Sequence, residues 1–163
     1  MRIELREWRE EDAPVVLRAF QAPDMARQSA LPVLSLQDAV GWIAGWAKKE
    51  HAFAVTLDGR VVGNVAVTNI DRHANGWVSY WTVPEARGRG VASAAVRLLA
   101  EWAFEERGLF RLELGHRTNN PASCRVALRA GFRAEGIERA KLLYDGVRYD
   151  VERHARLATD EAG

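Results

Sequence analysis

Residues 76–114 read as a strand, a long apolar helix and a second strand, and that succession leaves the chain little topological freedom. Gly76-Trp77-Val78-Ser79-Tyr80-Trp81-Thr82-Val83 is an aromatic and β-branched run, stopped by Pro84 because proline supplies no ladder donor. From Val91 to Phe104 the chain is apolar on nearly every side, as in a buried helix, and Gly108 ends it. Leu109-Phe110-Arg111-Leu112-Glu113-Leu114 then alternates as strands do. Two strands joined through a helix of this length pair in parallel, with a right-handed crossover.

The flanking segments predict antiparallel partners. His51–Leu57 and Arg60–Thr68 are joined by Asp58-Gly59, a hairpin turn signal. Phe132 to about Lys141 and Val147–Leu157, separated by Asp145-Gly146, read as a closing hairpin. Ile3, Leu5 and Trp8 suggest a first strand. Glu10-Glu11-Asp12-Ala13-Pro14 then opens a helix to about Phe20, with acids and a proline in its first turn. After an irregular segment over 22–34, Ser35 and Asp38 resemble a capping box for a helix over about 36–49. Asn120-Pro121 caps a short helix over 121–130 that Gly131 closes. The order β-α-α-β-β-β-α-β-α-β-β predicts an α/β fold: one domain over 1–163 with a mixed, mostly antiparallel twisted sheet flanked by helices.

A formal net charge of +1 gives no bulk attraction for nucleic acid, and no uncharged stretch is long enough to span a membrane. Charges in Met1-Arg2-Ile3-Glu4-Leu5-Arg6 stand where a secretory signal needs an apolar run, and Cys124 is the only cysteine, so a cytoplasmic, reducing location is expected. Only Lys48, Lys49 and Lys141 among the 23 basic residues are lysines, so arginine-containing motifs gain weight from their position rather than their presence.

One such motif is placed informatively. Val83-Pro84-Glu85-Ala86-Arg87-Gly88-Arg89-Gly90-Val91-Ala92 leads from a strand end through a glycine turn into the buried helix. The free N–H groups of a helix start, the helix dipole and glycines that permit close approach together make a cradle for a pyrophosphate. A P-loop is excluded because the turn has no lysine. A dinucleotide-binding turn is disfavoured because Gly88-Arg89-Gly90-Val91-Ala92-Ser93 ends in serine and too little chain follows for that fold.

Arg87-x-x-Gly90-x-Ala92 matches the Gln/Arg-x-x-Gly-x-Gly/Ala signature of the GCN5-related N-acetyltransferases, and the order of elements resembles that superfamily over nearly the whole chain. Gly76-x-x-x-Tyr80-Trp81-x-Val83-Pro84 before the signature is similar to the ribosomal-protein N-acetyltransferase branch. So is Asn120-x-x-Ser123-x-x-Val126-Ala127-x-Arg129-x-Gly131-Phe132 after it. The resemblance implies acetyl-CoA as cosubstrate and direct transfer to a primary amine. The acceptor it implies is a protein N-terminus, or else a small amine such as a polyamine or aminoglycoside. It implies a site in which Thr82 and Val83 hold the pantetheine, with the Val83 backbone facing the thioester carbonyl. The amides of Arg87, Gly88, Arg89, Gly90, Val91, Ala92 and Ser93 hold the pyrophosphate, and Asn120 meets the pantetheine arm or caps its helix. The position seven residues after Asn120, where the wider superfamily often has a tyrosine acid, is Ala127, so the resemblance shifts the proposed acid to Ser123. A homodimer is the family-level expectation. A non-catalytic acyl-CoA-binding module is the rival reading.

An α-amine, which ordinarily titrates at about pH 8, is partly neutral at physiological pH and asks little of a base. Asp71, His73 and Glu50 are the base candidates, each also readable as a solvated residue. Trp42 and Trp46 form either an acceptor-site wall or a core stripe; Tyr80 and Tyr144 are acceptor-site candidates. Asp24, Asp145 and Asp150 are possible anionic contacts for a cationic amine. Cys124 reads as a buried structural residue. His51, His73, His116 and His154 show no ligand-like spacing, so no metal is expected.

Overall fold

The computed structural model describes residues 1–47 and 51–161. Its strands are β1 (Ile3–Glu7), β2 (His51–Leu57), β3 (Arg60–Thr68), β4 (Asn75–Thr82), β5 (Arg111–Arg117), β6 (Arg133–Tyr144) and β7 (Val147–Leu157). Its α-helices are α1 (Ala13–Ala19), α2 (Leu36–Ala47), α3 (Val91–Glu105) and α4 (Pro121–Arg129). These follow the predicted order. The irregular segment after α1 contains a 3-10 turn over Pro23–Gln28.

The seven strands form one sheet in the order β1-β2-β3-β4-β5-β7-β6. Among the described residues only β4 and β5 pair in parallel; the other pairs are antiparallel. The crossover helix α3 therefore does what its position predicts. It is buried along one stripe, Val91, Ala95, Val96, Leu99, Ala100 and Ala103, while Glu101 and Glu105 are exposed, so it is less uniformly enclosed than its sequence suggests. This stripe packs with Val65, Val67, Val78, Leu112, Leu114, Ala127 and Phe132 to make the main core.

The opposite face of the sheet carries a second, aromatic core. Trp8, Phe20 and Trp42 surround Trp81, with ring centroids 5.8–6.1 Å from it. Trp8 also donates its indole N–H to Asn64 Oδ1 at 2.8 Å, so the buried Asn64 amide has a partner. Trp42, itself half-buried, packs against this layer, with its ring centroid 6.2 Å from that of Trp46 on the same helix.

Asp12 ties the first elements together. Its carboxylate takes two hydrogen bonds from Arg6, at 2.8 and 2.9 Å, and one from the Arg9 amide at 2.9 Å. Burial pushes the Asp12 pKa up, but these bonds together outweigh it and hold the group below the ordinary carboxylate value. A depressed folded-state pKa contributes stability above the unfolded value of about 3.9, and that contribution is lost as pH falls through the folded value. Asp12→Asn is expected to cost about 1.5–3 kcal/mol at neutral pH. Urea unfolding at pH 7 and pH 3 checks this: the gap between variant and parent should narrow at pH 3, and an equal gap at both would contradict the account.

Candidate functional site

The parallel pair holds together for three residues only, Asn75↔Arg111, Gly76↔Leu112 and Trp77↔Glu113. Beyond Trp77, β4 follows β3 to Thr82, whereas β5 follows β7 to Arg117. The two strands part, and a wedge opens between Val78–Thr82 and the second half of β5.

Strand alternation decides which β4 groups face this wedge. The Val83 amide donates to Val62 O at 2.8 Å, on the β3 side, and Val83 O accepts from Ala86 N at 3.0 Å. Val83 therefore has both backbone groups engaged inside the protein, and the expectation that it turns its backbone to a thioester does not fit this geometry. Counting back by alternation, the backbone groups of Tyr80 and Thr82 point into the wedge.

The turn after β4 leads to the mouth of the same wedge. Gly88 and Gly90 have φ of +75° and +77°, and a Cβ on either would meet nothing within 4 Å, so the backbone there is open to a ligand. Gly90 is the N-cap of α3 and supplies no capping side chain, which leaves the first-turn amides of Val91, Ala92 and Ser93 without intrahelical acceptors. Arg87 does not point outward as a free cation. Its guanidinium pairs with Asp24 at 2.9 Å and donates to Thr82 O at 3.3 Å, fastening the 3-10 turn of 23–28 to the end of β4. Arg89 is exposed and lines a cleft with Arg18, Arg60 and the Val83–Ala86 segment that follows β4.

Across the wedge stands the start of α4. Asn120 Oδ1 accepts from Ser123 N at 3.2 Å, so Asn120 is the helix cap. The Tyr80 hydroxyl donates to Ser123 Oγ at 3.1 Å. Burial pushes the Tyr80 phenol above its ordinary pKa, with the Ser123 bond opposing more weakly, so the phenol keeps its proton through the physiological range. Tyr80, read from sequence as an acceptor-site residue, is the partner of the residue read as the acid.

The acceptor-side candidates divide. Tyr144 lies under the Arg27 guanidinium, 4.0 Å from the ring centroid, and beside Tyr149 at 6.2 Å. Arg27 also pairs with Asp145 at 3.5 Å, and Asp150 accepts from Ala140 N at 2.7 Å. With Asp24 held by Arg87, each of the three aspartates considered for a cationic amine already has a partner. Asp71 and His73 sit in the turn before β4, at the far end from Thr82, about 23 Å away at the rise of an extended strand. The Asp71 pKa is lowered, first by the Asn75 amide, which weakens it further as a base. Glu50 lies outside the described residues. Cys124 is half-buried rather than buried.

Residues 2–133 match the family model of the acetyltransferase (GNAT) domain. The chain belongs to the GNAT acetyltransferase family. A Bacillus subtilis (strain 168) relative, YjcK, named as a probable N-acetyltransferase, is 36% identical over 117 residues, 69% of this chain and 65% of that protein. The ribosomal-protein-serine acetyltransferase of Escherichia coli (strain K12) is 30% identical over 115 residues, covering 69% of this chain and 62% of that one. The chain thus spans slightly under two thirds of the length of both relatives. Among solved structures, Mycobacterium smegmatis RimJ, in complex with CoA-disulfide, superposes with a TM-score of 0.85 at 24% identity, over 96% of this chain and 82% of that one. That likeness shows a shared GNAT fold.

In this GNAT chain the end of β4 is tightly seated. A Cβ on Gly63 would lie 2.4 Å from Trp81 O and 3.2 Å from Thr82 Cα, both backbone atoms that cannot rotate away. Gly63→Ala should lose about 1–3 kcal/mol of stability and displace β4. Amide chemical shifts of Trp81–Val83 check this; unchanged shifts with parental stability would show that the contact is not close.

Proposed function

We propose that residues 1–163 form one acetyltransferase domain that uses acetyl-CoA to acetylate a primary amine, most specifically a protein N-terminal α-amine, by direct attack in a ternary complex. The observation that carries this reading is the wedge after Trp77, which has the open glycine turn at its mouth and the Ser123 hydroxyl on its far wall. The turn and the wedge suit the two halves of a coenzyme A: open amides at a helix start for its pyrophosphate, and unpaired strand edge for its amide-bearing pantetheine arm.

Acetyl-CoA supplies the activated acyl group when bound. The chain's own part is then positional and protonic. Tyr80 and the Thr82 amide present the β4 backbone edge, Thr82 O being taken by Arg87, in place of the contact expected of Val83. The amides from Gly88 to Ser93 hold the pyrophosphate. Tyr80, donating to Ser123 Oγ, leaves the serine's own proton free to turn into the wedge, where a departing thiolate needs it. The substrate α-amine attacks in its neutral form; the N–C bond forms, the C–S bond breaks, Ser123 gives its proton to the departing thiolate, and the proton the nitrogen loses on becoming an amide returns to Ser123 Oγ through solvent. The likeness to a relative named as a ribosomal-protein-serine acetyltransferase supports a protein α-amine as the acceptor. Trp42 stays in the aromatic layer, while Tyr144 and Arg27 form an edge near the hairpin that an acceptor would pass.

Release of free CoA from acetyl-CoA, measured with N-terminal peptides, polyamines and aminoglycosides, tests the acceptor class. Release with peptides is expected. Activity with small amines alone would overturn the peptide assignment, and tight acetyl-CoA binding with no release for any acceptor would favour a non-catalytic binding module. Ser123→Ala should lower kcat about 100-fold with acetyl-CoA affinity little changed. A parental kcat would remove Ser123 as the acid.

A further inference from the structure

Four side chains unused by the acetyl-transfer reading converge between α4, β5 and β7. His116 Nε2 lies 3.1 Å from His154 Nε2. Glu152 Oε1 lies 2.9 Å from His154 Nε2 and 3.4 Å from His116 Nε2. Cys124 Sγ is 3.8 Å from the same carboxylate oxygen, and all four atoms fall within 4.8 Å of one another. His154 and His116 side chains are 0% and 6% exposed, and Glu152 at 26% gives the cluster a path to solvent.

The opposite ring nitrogens make this convergence informative. His116 Nδ1 is 2.8 Å from Arg117 O, and His154 Nδ1 is 3.1 Å from Phe132 O. A carbonyl only accepts, so both Nδ1 atoms carry the proton, and in a neutral ring Nε2 is then a bare lone pair. Two such lone pairs and a carboxylate oxygen point at one place. With both rings neutral that arrangement is repulsive unless a shared proton or a metal cation sits among the three atoms.

We propose that His116, His154, Glu152 and Cys124 form a tetrahedral site for a zinc-like divalent cation. Bonds of about 2.0–2.2 Å to nitrogen and oxygen and about 2.3 Å to sulfur give edges of roughly 3.3–3.6 Å between ligand atoms in a tetrahedron. The N···N, N···O and S···O separations here run from 2.9 to 3.8 Å and the S···N separations stay within 4.8 Å, so small side-chain shifts on binding bring the four atoms to that geometry. Metal-bound histidines donate their other N–H to a carbonyl or carboxylate, as both rings do here. On binding, the Cys124 thiol gives up its proton, and thiolate and carboxylate together balance the two positive charges. The site joins α4 to β5 and β7 at the residue next to Ser123, so the ion acts as a rivet for the helix that carries the proposed acid. The site does not depend on acetyl transfer, and its test reads metal alone.

The full chain, loaded with zinc and dialysed, should retain one equivalent by elemental analysis. Loaded with Co2+ it should show tetrahedral visible bands and a near-ultraviolet thiolate-to-cobalt charge-transfer band. Cys124→Ser should abolish the charge-transfer band. Glu152→Gln and His116→Gln should each weaken zinc binding by more than about 100-fold, the loss that even a second-sphere contact can cause. Cys124→Ser, at a half-buried position, should keep its metal-free melting temperature near the parent's, which separates lost binding from lost folding. Less than a tenth of an equivalent of retained zinc would overturn the proposal in favour of a shared proton among these groups. Parental zinc affinity in Cys124→Ser and Glu152→Gln would overturn it in favour of adventitious surface binding.

Discussion

The parting of β4 from β5 is the event on which the remaining architecture depends. A parallel pair that stayed zipped would satisfy its own backbone and leave no edge for a ligand. Here three register pairs hold the strands at one end, and α3 fills the crossover with a stripe of small and branched residues against β3, β4 and β5. Past Trp77 each strand has a better partner on its other side: β3 for β4, and β7 for β5. The edge groups exposed by this divergence carry a desolvation cost unless water or a ligand meets them, which is why the proposed coenzyme site is placed there.

Two side-chain links then turn an open wedge into a defined one. Arg87 fastens the 23–28 turn to the end of β4 through Asp24 and Thr82 O. Arg27, from the same turn, stacks on Tyr144 and pairs with Asp145 in the β6–β7 hairpin. A segment without regular periodicity therefore connects the glycine turn to the hairpin, and its arginines act in structure rather than as loose positive charge.

What the residues disclosed in advance were features with local causes. Asp58-Gly59 turns the β2–β3 hairpin with φ of +50° and +85°, and Asn120-Pro121 caps and opens α4 as its chemistry requires. The glycine turn and the cap of α4 were legible because they are tied to a strand end and a helix start. What stayed hidden depended on strand order. His116 and His154 are 38 residues apart and show no motif, yet β5 and β7 are neighbours, so the sheet brings them to 3.1 Å. The parity of Val83 was likewise hidden, because only the register of β3 against β4 decides which backbone groups face the wedge. Asp71 and His73 are near the site in sequence but at the wrong end of β4 in space, a distinction that composition cannot draw.

Acetyl transfer as proposed requires the β4 edge and the glycine turn to form one acyl-CoA site. Amide hydrogen exchange, measured with and without acetyl-CoA, tests this directly. Slower exchange is expected at Tyr80, Thr82 and Gly88–Ser93, with Val83 unchanged because its amide is already bonded to Val62. Protection confined to the cleft around Arg18, Arg60 and Arg89, with the β4 edge exchanging as before, would contradict it.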